Sequence, residues 1–349
     1  MSDDAAFTTV FGRGLVDELR HILPRPYLVV SMADLWPRFE AAFDAGLGAV
    51  HLVDSLEVAD LERSLEGLPV WRSVVGIGGG QAIDVAKYAA WASGARLFQV
   101  PTAMTVNAPF GHRAGLRVGG IVRYLGWAVP EAVYVDIDVV QSAPPPLNRS
   151  GIGDILCYHT AHADWRLARD LGNEEARWPY DERLVTAARE RLEGVLASLD
   201  EIREVSESGI RTLMLAHRWG GAAFHNAGWN PRHIEGVEHF FFYNLERLTG
   251  RHFIHGQPVG LGTYIGALLQ GNEPELVLAA IVRAGVDVRP EAMGVTWDDV
   301  GEAIRTLPAF VREAGLWFSA ADARPIEPDL PDRVRSGLEA AYARGWAAS

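Results

Sequence analysis

Two acids and two histidines stand in the stretch "GIGDILCYHTAHADW", residues 151–165. These residue types hold divalent metals or move protons. Asp154, Tyr158, His162 and Trp165 follow the i, i+4, i+8, i+11 stripe of one helix face, and His159 points elsewhere. Asp154 and His162 are two turns apart, roughly 12 Å of axial rise, which is too far to share one ion. A metal site built on this helix must therefore recruit ligands from others. The chain has eleven histidines, and the further groupings are His217 with His225, His233 with Glu235, Glu238 and His239, and His252 with His255. Any one of them reads equally as a hydrogen-bonded core histidine, so spacing alone selects no ligand set.

A second feature bears on phosphate chemistry. "VVGIGGGQAIDVAK", residues 74–87, places Gly76, Gly78, Gly79 and Gly80 between an apolar strand and a helix. Adjacent glycines leave backbone N–H groups uncovered, and the helix adds its positive N-terminal end, so the arrangement suits a pyrophosphate. It is neither the G-x-G-x-x-G fingerprint nor a Walker A loop, and a tight turn without ligand is the competing reading. Asp84 and Lys87, one turn apart, read by spacing as a surface pair. Asp54, closing the second strand, could meet a ribose hydroxyl or simply be solvated.

The elements that must position these groups fall into two halves. Strands are expected at 26–31, 48–54, 71–77, 95–101 and 131–136, with helices around 34–45, 55–66 and 81–93, the alternation of a parallel sheet with crossover helices. "SAPPPLNRSG", residues 142–151, interrupts that alternation. Beyond it the period is helical over 151–171, 181–198, 200–226, 234–248, 257–270, 275–285, 297–315 and 331–345. The expected fold is α/β: a Rossmann-like parallel-sheet domain over 1–148, then an all-α domain over 149–349, with ligands held at the domain boundary near the strand ends. Phe240–Phe241–Phe242–Tyr243 reads as core, while Trp127 and Trp229 could wall a pocket.

Composition narrows the function classes. A formal charge of −13 and the absence of a basic run disfavour nucleic acid. One cysteine, Cys157, excludes an internal disulfide framework and fits a reducing compartment. The first residues lack an apolar signal core, and no segment approaches the ~20 apolar residues of a membrane span, so a cytoplasmic protein without a membrane partner is expected.

"GIGGGQAIDVAK", "VPTAMTVNAP", "SGIGDILCYHTAHADWRLA", "GVEHFFF" and "HGQPVGLGT" occur in one order over residues 25–270. This combination resembles the superfamily of iron-type (group III) alcohol dehydrogenases, glycerol dehydrogenase, sn-glycerol-1-phosphate dehydrogenase and dehydroquinate synthase. Within it the resemblance is greatest to the glycerol-1-phosphate dehydrogenases, through Gly151–Asp154, Ala163–Leu167, Gly236–His239 and His255–Val259. The resemblance implies a divalent metal, zinc before iron, on Asp154, His239 and His255, and NAD or NADP with its pyrophosphate on Gly78, Gly79 and Gly80. It puts Asp54, Asp84, Thr102 and Thr105 on the cofactor side. Asn107, Arg113, Lys87 and Tyr158 fall on the side of a small-molecule substrate, with Asn107 also at the reacting centre. It further implies a homo-oligomer and metal-dependent, NAD(P)-linked oxidation of a polyol or polyol phosphate, or reduction of the related carbonyl compound.

Three positions depart from the family pattern. Asn107 stands where an acid is usual, Gln257 replaces the acid of "HGE", and Gly111–Gly115 keeps Arg113 but loses the two serines of "SPRAS". They leave a non-catalytic metal- and dinucleotide-binding protein as one alternative. A dehydroquinate synthase-like cyclase using NAD transiently is the other, but Asp154 occupies the position of its Glu, and Cys157–Tyr158 the position of its Lys–Tyr.

Overall fold

Strands covered on both faces need near-continuous apolar runs, and Tyr27–Ser31 and Ser73–Gly78, within two of the runs above, are buried along their whole length. The computed structural model describes residues 7–226 and 229–345, without the side chains of 223–226. Its strands are β1 (Thr8–Gly12), β2 (Tyr27–Ser31), β3 (Leu47–Leu52), β4 (Ser73–Gly78), β5 (Arg96–Pro101), β6 (Ala114–Val118), β7 (Ile121–Leu125) and β8 (Ala132–Asp136). Six form a parallel sheet in the order β1-β8-β5-β4-β2-β3. All five expected strands are in it, and β4, which ends in the glycine cluster, is an interior strand.

Two elements lie outside the sequence expectation. The edge strand β1 pairs with β8. The hairpin β6–β7 turns at Gly119–Gly120, whose φ values of 61° and 76° demand glycine-like freedom. The helix expected at 34–45 shrinks to two short turns, Trp36–Phe39 and Glu40–Ala42. The one at 200–226 is divided into Leu199–Arg203 and Glu207–Asn226, with Val205 at φ 54° between them.

The chain resolves into two units: residues up to Pro144 with His217–Asn226, and Pro145–Ala216 with the chain from 229 onward. In the first, the helix Gly80–Ser93 lays Ala82, Val85, Ala86, Ala89 and Ala90 over Leu28, Val30, Val74 and Leu97 of the sheet. In the second, all elements described are helical, and the helix Pro145–Asp170 runs through the middle. Two of the three prolines that break the alternation, Pro145 and Pro146, sit in its first turn, where the missing N–H costs nothing. From Ser150 to His162 every residue of this helix is buried, so its histidines and acids must find partners inside the protein. Among the described residues no helix is long and apolar enough to cross a membrane.

Candidate metal and cofactor sites

Glycine sets the spacing of the candidate metal site. A Cβ on Gly256 would lie 1.7 Å from the Ser150 carbonyl oxygen, and one on Gly153 would lie 1.8 Å from the Gly256 carbonyl oxygen. The helices Pro145–Asp170 and Gly256–Gln270 thus touch backbone to backbone, which only glycine permits. Asp154 follows one of these glycines and His255 precedes the other, so their side chains meet: His255 Nε2 is 3.0 Å from Asp154 Oδ1. The helix Val237–Thr249 approaches equally closely, since a Cβ on Gly262 would stand 2.4 Å from the Glu238 carbonyl oxygen. It brings His239 Nε2 to 3.6 Å from the same Asp154 oxygen.

Asp154, His239 and His255 place one ligand atom each within 4.8 Å of one another. Asp154 and His239 are buried, while the His255 side chain is 27% exposed and marks the open side of the cluster. Phe242 stands edge-on to His255 with ring centroids 5.0 Å apart and forms an apolar wall there, a contact beyond the core packing expected of the aromatic run. Burial disfavours a charged His239 ring, yet Asp154, Glu238 and Glu235 outweigh it and lift its pKa to about 10. A pocket that holds a proton so firmly on an imidazole favours positive charge, and two imidazoles with one carboxylate suit a divalent cation.

Around this trio lie groups committed to other work. Cys157 Sγ donates to the carbonyl oxygens of Asp154 and Ile234, and burial pushes its thiol well up, so it stays neutral. It lies with Glu238 and His239 in a second close cluster. Asp164 accepts the Val237 N–H at 2.8 Å on one oxygen, and the Ala320 N–H and Gln270 Nε2 on the other. It thereby caps the His239 helix, whose own N-cap, Gly236, has no side chain to offer. Burial, and then Glu238, raise its carboxyl to about 7.

The remaining histidines fall away from the cluster. His159 Nε2 meets the Asn272 carbonyl oxygen at 2.8 Å, and His162 Nδ1 meets that of Tyr158. His217 reaches the Met104 carbonyl oxygen within the first unit. His233 is fully buried and pushed down to about 3, and His252 is a surface partner of Glu246. The side chain of His225 lies outside the described residues.

In the first unit the glycine cluster divides by role. A Cβ on Gly76 would meet Ala86 Cβ at 2.7 Å and one on Gly78 would meet Ala82 Cβ at 2.8 Å, so both are required for helix–strand packing. Gly79 would meet nothing within 4 Å, is the N-cap of Gly80–Ser93 and supplies no side-chain cap. The first turn of that helix thus receives no side-chain cap from its own N-cap residue. Thr102 is buried and its N–H bonds the Gly78 carbonyl oxygen, Thr105 is half-buried, and Asp54 is exposed beyond the end of β3.

Three assignments need correcting. Asp84 and Lys87 are not a surface pair: Lys87 is 2% exposed, its Nζ is 2.6 Å from Asp84 Oδ1, and it donates to the carbonyl oxygens of Ala108 and Arg113. Two of its N–H groups thereby fix the 108–113 segment and the third meets Asp84, which takes Lys87 away from the substrate side. Tyr158 is likewise buried, and its hydroxyl donates its proton to the Ala216 carbonyl oxygen, so it has no proton to give a substrate in this arrangement. Asn107 and Arg113 flank the segment that Lys87 holds and are both half-buried, with the Arg113 guanidinium 5.8 Å from the half-exposed Trp127 ring. Trp229 is half-buried at φ 65°.

Comparison with known proteins agrees with these motifs. The family model "Iron-containing alcohol dehydrogenase" matches residues 40–144. The glycerol-1-phosphate dehydrogenase [NAD(P)+] of Thermofilum pendens is 32% identical, over 92% of this chain and 92% of that protein. That of Hyperthermus butylicus is 30% identical, over 90% and 94%. Among solved structures, a probable glycerol dehydrogenase from Sinorhizobium meliloti shares the fold with a TM-score of 0.70 at 21% identity, over 97% of each chain.

Proposed function

This chain belongs to the iron-containing alcohol dehydrogenase family, among the relatives of the glycerol-1-phosphate dehydrogenases, and on that premise we propose which substrate class it takes and which residues act. It is an NAD(P)-linked, metal-dependent dehydrogenase whose substrate is a small polyol phosphate or polyol. The reaction removes hydride from a carbinol carbon and a proton from its hydroxyl, giving the carbonyl compound, reduced nicotinamide and a proton. The observation that carries this reading is the convergence of Asp154, His239 and His255 from three helices.

Those three residues would hold the metal, and two imidazoles with a carboxylate favour Zn²⁺ ahead of Fe²⁺. When bound, a divalent cation supplies Lewis acidity toward the substrate hydroxyl, so no strong side-chain base is required. The uncapped N–H groups at Gly79, Gly80 and beyond would take the pyrophosphate, with Thr102 and Thr105 beside them and Asp54 toward the ribose. Asn107 and Arg113 would orient the substrate, Arg113 by its charge toward a phosphate. Gln257 donates an Nε2–H to the Asp287 carbonyl oxygen at 2.7 Å, which an ionised carboxylate could not do. The amide therefore has a structural partner of its own and supports an active enzyme over a lapsed one. The lone buried Cys157 supports a cytoplasmic setting, and the family resemblance supports a homo-oligomer.

Incubating the enzyme with sn-glycerol-1-phosphate, its enantiomer, glycerol and related polyols, with NAD⁺ or NADP⁺, tests the reading through absorbance of reduced nicotinamide. Net reduction with a polyol or its phosphate is expected, whereas a cyclase would give none. Asn107→Asp should shift the profile toward glycerol-1-phosphate, and an unaltered profile would remove Asn107 from the substrate side.

The cofactor loop has a separate test of opposite sign in stability and binding. Gly79→Asp should stabilise the helix by about 0.5 kcal/mol, as an N-cap acid does. The same carboxylate should repel the pyrophosphate and raise the dinucleotide KM by about tenfold or more, the equivalent of ~1.4 kcal/mol. A wild-type KM in that variant would show that the loop binds no phosphate.

A further inference from the structure

Glu238 precedes a proposed metal ligand in sequence, is 0% exposed, and is not one of the three residues proposed to hold the metal. Its Oε1 lies 3.0 Å from His239 Nδ1 and also accepts the Gly236 N–H. Its Oε2 accepts the Thr160 hydroxyl at 2.7 Å. Thr160 sits on the helix that carries Asp154, and Gly262, on the helix that follows His255, touches the Glu238 carbonyl oxygen. A single residue thus contacts all three helices that bring the ligands.

We propose that Glu238 is the positioning residue of the metal centre, fixing the His239 ring with Nδ1–H toward its carboxylate and Nε2 toward the cation. The inference rests on the metal reading above. A carboxylate that already accepts from Gly236 and Thr160 can only accept from His239, so the ring proton stays on Nδ1 and the lone pair on Nε2. Negative charge at Nδ1–H also makes Nε2 a stronger donor, and loss of such a partner costs 10- to 100-fold in metal affinity. The competing explanation is a neutral staple between helices, for which an amide would serve as well.

Glu238→Gln separates the two. Its amide oxygen can accept from Gly236 and His239 and its NH₂ can donate to Thr160, so the hydrogen bonds survive and the charge is lost. With Co²⁺ as the probe, the expected result is binding weakened about tenfold or more, with a shifted d–d absorption band. Wild-type affinity and spectrum in the variant would overturn the inference. A wild-type protein that binds no Co²⁺ would overturn the metal reading itself, and Glu238 with it. Should the variant not fold, ¹⁵N-imidazole NMR of the Zn²⁺-loaded wild type decides: His239 protonated at Nδ1 supports the inference, and His239 bound through Nδ1 refutes it.

Discussion

Replacing His255 by Ala is expected to strip the protein of its metal and lower kcat by about a thousandfold, equivalent to the several kcal/mol a Lewis acid contributes. The fold should survive, because the His255 side chain is partly exposed and its loss leaves no sealed cavity. Asp154→Asn is the companion variant. It keeps the volume in a buried position and removes the charge that both imidazoles face. With that charge gone, the raised pKa of His239 in the metal-free protein should fall, which NMR titration reads directly. Metal content after dialysis and circular dichroism complete the test. Full metal stoichiometry in both variants would show that the cluster is not the binding site.

Gly256→Ala should be as damaging to the site and more damaging to the fold. In an open helix, Gly to Ala stabilises by up to ~1 kcal/mol. Here the new methyl would stand 1.7 Å from the Ser150 carbonyl oxygen, a backbone atom that no rotamer can move aside. The helices must part by more than an ångström, and overpacking of that kind costs on the order of 3 kcal/mol. The steric term wins by about 2 kcal/mol, or roughly 3 °C in Tm for a chain of this size. Because the strain falls between Asp154 and His255, metal affinity should drop with it. Gly194→Ala is the control: it lies within the helix Glu182–Ala197 with nothing within 4 Å of the added methyl, and should raise stability. Equal melting temperatures and metal affinities for Gly256→Ala and wild type would refute the backbone contact.

The motifs were legible because local chemistry wrote them. A run of glycines between strand and helix, an acid after Gly-x-Gly and a His before Gly each mark a backbone constraint that survives in the sequence. Five of the six sheet strands were legible as apolar runs, and two of them, β2 and β4, are buried along their whole length. β1 escaped notice because an edge strand of five residues carries little apolar signal. The β6–β7 hairpin carried its signal in Gly119–Gly120, but the alternating strand–helix pattern gave it no place.

Lys87 and Asp84 show where local reading stops. Their spacing describes a pair but says nothing of its surroundings, and only the packing of the 108–113 segment over the helix buries it. Asp164 and Glu238 belong to the same class, since their partners lie 73 and 78 residues along the chain. The sequence by itself determined the class of fold, the position of the glycine loop, and the three residues that could hold a metal by family resemblance. Tertiary structure alone decided that Asp154, His239 and His255 meet, that the Glu238 carboxylate stands beside one of them, and that Tyr158 and Lys87 are buried and hydrogen-bonded inside the protein. The reason is physical: helix period and glycine placement are local properties, whereas a ligand cluster depends on helices whose separation is fixed by contacts far apart in the chain.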